Sequence, residues 1–224
     1  MNNLNQLDEL TRATRKREFD DGLVDILYGL VFLVFGLGGW LLFSTEGLAW
    51  FATALIQQRE IVIIALVALV PVLLLAIYGT RRFIERIRRS YLWKDSGYVE
   101  PLGWQVKRSV MIAAVLASIA LIIAAFWLMA TGSLSEEAVL RALAASACLG
   151  TAVVYLGMGI DLRISRYVGV GIAGLILSVM VLTLSASFSE SWLVVGIGWM
   201  AILTASGLWA FRQSVLSLAE SPSE

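Results

Sequence analysis

Residues Asp21 to Phe43, DGLVDILYGLVFLVFGLGGWLLF, form one unbroken apolar run whose only charge past its first position is Asp25. At about 1.5 Å per helical residue the run reaches about 30 Å, the depth of a bilayer's hydrocarbon core. Gly22, Gly29 and Gly36 recur every seven residues. Asp25 and Phe32 fall between them at three- and four-residue steps, so the five share one helix face. Helices in lipid approach closely through small residues, and a membrane-buried carboxylate is costly unless it faces a partner or water. This face is therefore expected to look into a bundle, with Leu23, Val24, Leu30, Val31 and Leu37 turned outward or sideways.

The remaining sequence repeats the pattern. Of 224 residues 59% are hydrophobic and 15% charged, and the mean hydropathy is +0.82; a soluble domain carries about 25% charge. The chain reads as an all-α polytopic membrane protein. Spans are expected at about 21–43, 61–79, 110–131, 140–160, 167–186 and 192–211, six in all, forming a transmembrane domain over 21–212 as three hairpins. Pro71 should kink the second span by removing a backbone hydrogen bond. The connection 44–60 holds an apolar core too short to span, Leu48 to Ile56, which fits an interfacial helix better than a re-entrant one. Residues 1–20 read as an interfacial or solvated segment, and 213–224 as a polar tail.

The longest polar stretch is 80–109. Phe83, Ile84, Ile87, Tyr91 and Leu92 share one helical side, and Arg81, Arg82, Glu85, Arg88 and Arg89 cover the other. That is an amphipathic helix for the headgroup layer, with turns near Ser96-Gly97 and Glu100-Pro101. Arg81, Arg82, Arg88 and Arg89 either contact anionic lipid headgroups or a protein partner, or only enforce orientation. With cytoplasmic termini, fifteen of the seventeen basic residues lie inside, and only Arg59 and Arg141 lie outside. This is the positive-inside pattern of a bacterial-type inner (plasma) membrane, N-in and C-in.

There is no histidine, and the single cysteine, Cys148, sits in an apolar run. Histidine-based metal sites and Ser-His-Asp or Cys-His catalysis are excluded by inventory. No cofactor, metal or nucleic acid is implied. The chemistry-bearing candidates are few. Asp20, Asp21 and Asp25 gather near the cytoplasmic mouth, either as a cation or proton site or with Asp25 paired to an arginine of the basic loop. Asp161 is expected to pair locally with Arg163 or Arg166 and fix the turn between spans four and five.

Two short resemblances attach to these clusters. Gly157 to Arg166, GMGIDLRISR, resembles the cytoplasmic loop motif of major facilitator transporters, with its first arginine one position late, Ile164 in place of the second glycine, and half that family's spans. The opening Asp20-Asp21-Gly22 resembles the start of CDP-alcohol phosphotransferase motifs, without their downstream arginine and paired aspartates. Neither family is carried over. The expected role is a non-enzymatic scaffold, accessory subunit or sensor, with another membrane protein or a second copy as partner. The alternatives are a small oligomeric transporter or channel using Asp25 and, last, an intramembrane enzyme acting on a phosphate-bearing lipid.

Overall fold

The computed structural model describes residues 19, 21–60, 63–64, 67, 78–79, 82–88, 90 and 106–216, with the backbone alone of 217–220. Among these residues the chain is helical, with no strand. Its elements are α1 (Leu23–Phe43), α2 (Thr45–Gln57), α3 (Arg108–Ala130), α4 (Glu136–Leu162), α5 (Ser165–Thr183) and α6 (Phe188–Glu220). All but α2 are long and apolar enough to cross a bilayer, five in number, and they mark a membrane-embedded protein. Most of the expected second span, its Pro71 kink, most of segment 1–20 and the turns near residues 97 and 101 lie outside the described residues.

Local chemistry sets the helix ends. Asp21 Oδ1 accepts the N–H of Leu23 at 3.1 Å, and Gly22 turns through a left-handed φ of 70°. Ser44 caps α2 by accepting the Gly47 N–H at 3.0 Å. Ser135 caps α4 through Ala138, where Glu136 and Glu137 face the positive end of the helix dipole. Ser187 and Glu190 form a capping box before α6: the Ser187 N–H donates to Glu190 at 2.8 Å, and the Glu190 N–H donates to Ser187 Oγ at 3.3 Å. That box starts α6 four residues before the expected span at 192, and the helix continues to Glu220. At 33 residues it is about 50 Å long, well beyond one bilayer core.

Packing follows the small residues. The glycine face of α1 lies on α6, antiparallel to it. A Cβ on Gly22 would come within 2.2 Å of the Gly207 carbonyl, one on Gly36 within 2.5 Å of Gly196 Cα, and one on Gly39 within 2.8 Å of the Trp192 ring. Gly22 must therefore be glycine for space as well as for its backbone angle. Leu30, Val34 and Phe35 point away from the bundle, as does Leu37. The α4–α5 hairpin closes through Gly159 on Val168 and Gly171 on Leu156, and α3 reaches α4 through Val110 at Gly157 and Ser118 at Gly150. Ser118 Oγ donates to the Ser146 carbonyl at 2.9 Å.

Larger side chains fill the space between these pairs. Trp199 of α6 is completely buried; it stacks on Phe32 with ring centroids 5.3 Å apart and on Tyr155 at 5.7 Å. Tyr155 meets Tyr167 edge-on at 5.4 Å, and Tyr167 meets Phe19 at 5.8 Å. A continuous aromatic column thus runs from Phe19 to the middle of the bundle. It leads to the one end where the starts of α1, α3 and α5, the end of α4 and Gly207 of α6 come together.

Candidate functional site

Asp25 lies in the first turn of α1, on the buried glycine face, and is 1% exposed. Its two oxygens are met by consecutive residues of another helix. Tyr167 Oη donates to Oδ1 at 2.8 Å, and Arg166 Nη2 lies 3.1 Å from Oδ2. Arg166 and Tyr167 occupy the second and third positions of α5 after Ile164, so the positive end of the helix dipole adds potential beside the carboxylate. Arg166 also donates to the Phe19 carbonyl, and its guanidinium sits 4.9 Å above the Tyr167 ring. That aromatic face supports a cation whose Nε and Nη1 have no hydrogen-bond partner among the described residues. One arginine therefore ties Phe19, four residues before α1, α1 itself and α5 together.

Asp21, one turn earlier, has its own arginine. Arg88 Nε donates to Oδ2 at 2.5 Å and Nη2 to Oδ1 at 3.0 Å, the bidentate geometry that makes such pairs strong and directional. Both side chains are buried, at 4% and 5% exposure. Residues 82–88 are helical, and Ile84, one turn before Arg88, is buried beside it.

The structure therefore redistributes the expected sites. Asp25 does take an arginine, but from the turn between α4 and α5, while the basic loop supplies Arg88 to Asp21. Asp161 does not pair with Arg163 or Arg166: its partner is Lys107. Arg163 takes a left-handed φ of 54° where α4 ends and is exposed. Arg166 turns inward to Asp25, and Val110 packing into Gly157 brings the start of α3, with Lys107, beside Asp161. Lys107 is 55% exposed, so that pair is solvated and weak, whereas removing one member of a buried pair is costly.

Among the residues expected on the lipid surface, Arg82 is exposed and lies over the Tyr78 ring at 5.0 Å. Arg88 is not on that surface, being turned inward to Asp21. The expected division of this helix also changes: Ile84 and Arg88 are both buried, and Arg82, Phe83 and Arg86 are exposed. Asp20, Arg81 and Arg89 lie outside the described residues.

Sequence reasoning missed Tyr167, Tyr155 and Trp199 as parts of one inner column. Trp199 alone carries a signal in the sequence, since it lies well inside the expected span 192–211 while the other tryptophans lie near span ends or in connections. Among the described residues no three acidic or thiol side chains gather as a metal site. Compared with known proteins, the chain matches no family model, no curated protein and no solved structure.

Proposed function

We propose that this chain is a non-enzymatic component of a membrane complex, a scaffold, accessory subunit or sensor, built as six spans with both termini cytoplasmic in a bacterial-type inner membrane. The observation that carries the role is the internal pairing of Asp21 with Arg88 and of Asp25 with Arg166 and Tyr167. The carboxylates that ion translocation or carboxylate catalysis would draw on are instead spent on holding helices together. The sixth span is supported by direction: α1 and α3 start at the same end of the bundle, so the chain between Phe43 and Lys107 has to return across it, and 61–79 is its apolar run. The amphipathic segment after that run lies at the basic, cytoplasmic end.

The test is the mass and composition of the complex extracted gently from its native membrane. A stoichiometric second protein is expected. A homo-oligomer free of other subunits would overturn the accessory role.

The second reading, a small oligomeric transporter or channel, is favoured by one feature. Asp25 sits on a helix packed against α6 yet is held by α5, so breaking that pair would separate two helix groups at their cytoplasmic end. It requires ion- or solute-dependent flux that Asp25→Asn abolishes while the fold is kept.

A further inference from the structure

The three described aspartates at the cytoplasmic end, Asp21, Asp25 and Asp161, are each paired within the chain, to Arg88, Arg166 and Lys107. The arginines left facing outward there are Arg82, Arg86, Arg108, Arg163 and Arg212. Of the acidic side chains described at this end, none is fully exposed and Glu85, between Arg82 and Arg86, is half-buried; the exposed Glu46, Glu136, Glu137 and Glu190 lie at the opposite one. Among the described residues, this end of a chain of zero formal charge therefore carries more exposed arginine than exposed carboxylate.

On this surface one element carries more than charge. In the helical stretch 82–88, Arg82 and Arg86 stand four residues apart on the same face, about 6 Å between their Cβ atoms. Phe83 lies beside them, 63% exposed. Arg88 ties the stretch to Asp21 at the start of α1, and Ile84 is buried while Phe83 is exposed, so the outward face is fixed in orientation. We propose that Arg82, Phe83 and Arg86 form a binding site for the headgroup of an anionic glycerolipid, with the phosphate held by the two guanidinium groups and Phe83 set into the acyl boundary. Guanidinium groups suit phosphate oxygens in geometry and charge, and an exposed aromatic ring at the headgroup level favours a lipid over the acidic segment of a soluble protein, which would leave the ring in water. The inference needs only that the chain is membrane-embedded and does not depend on the accessory role.

The experiment places the full chain in nanodiscs of mixed phosphatidylglycerol and phosphatidylcholine and reads the lipids retained on its release by native mass spectrometry. The native chain is expected to retain phosphatidylglycerol preferentially. R82Q/R86Q should lower that preference by roughly thirty-fold at low salt, the equivalent of about 2 kcal/mol for two interfacial arginines. R163Q/R212Q removes the same charge from the same end and should change it little. Phe83→Ser, which leaves the charge intact, should lower it as well. No preference in the native chain, or equal losses in the two arginine pairs, would overturn the site. So would an acidic protein released by R82Q/R86Q while the lipid ratio stays fixed.

Discussion

Gly36 of α1 and Gly196 of α6 meet backbone to backbone: a Cβ built on Gly36 would lie 2.5 Å from Gly196 Cα, and one on Gly196 would lie 2.6 Å from Gly36 Cα. No flexible side chain stands there to move aside, so the two helices themselves would have to separate. Gly36→Leu is expected to lose several kcal/mol, more than the 1–3 kcal/mol typical of an overpacked core. Gly38, two residues on, has open space around its Cβ position, and Gly38→Ala should be neutral or gain up to about 1 kcal/mol from helix propensity. Melting temperatures in one fixed detergent and lipid mixture check both; equal effects of the two substitutions would refute the close packing of α1 on α6.

The Asp25–Arg166 pair should show strong coupling. Asp25→Asn leaves a buried cation and Arg166→Gln a buried anion, each costing about 3–5 kcal/mol. In the double variant neither charge remains, so its loss should fall well short of the sum of the two. Tyr167→Phe removes one hydrogen bond to a charged acceptor and should cost about 1.5–3 kcal/mol. Equilibrium unfolding of the native chain and these four variants measures this, and strictly additive losses in the Asp25 and Arg166 cycle would show that the two groups do not interact.

How far the site was legible depended on whether its signal was local. The glycine repeat of α1 and the burial of Asp25 followed from spacing within one helix, because the sequence period maps directly onto a face. The choice of partner did not, since Arg166 and Arg88 reach Asp25 and Asp21 across sequence separations that no local pattern encodes. Asp161 misled for the same reason: the nearest arginines in sequence were expected to bind it, yet the left-handed turn at Arg163 and the inward path of Arg166 left it to Lys107. The early start of α6 was legible in principle, in the spacing of Ser187 and Glu190, but a hydropathy window does not register a polar capping box.

Arg88 holds the stretch 82–88 to the start of α1 through Asp21, and Ile84, one turn before it, is buried. Cys148 is completely buried, so a thiol reagent reads an introduced cysteine against a quiet background. In the otherwise native chain Ile84→Cys should react slowly with a maleimide, and Phe83→Cys quickly. Adding Asp21→Asn should raise the Ile84→Cys rate severalfold and leave Phe83→Cys unchanged. An unaltered Ile84→Cys rate would mean that this stretch is held by contacts other than the Asp21 pair.

The same buried Cys148 allows the number of crossings to be tested. Glu46, on α2 just past the end of α1, and Ser133, between α3 and α4, belong to one end of the bundle. Arg163 and Arg86 belong to the other, the first at the end of α4 and the second two residues before the Arg88 that binds Asp21. With six spans, Glu46→Cys and Ser133→Cys should react with a membrane-impermeant maleimide added to intact cells, whereas Arg86→Cys and Arg163→Cys should react only after the membrane is opened. The decisive pair is Glu46 and Arg86: opposite accessibility requires one crossing between them, which 61–79 is long and apolar enough to make. If both label from outside, α1 and α3 cannot start on the same side of the bilayer. The pairing of Asp21 with Arg88 would then have to break in the membrane, and the six-span arrangement would fall with it.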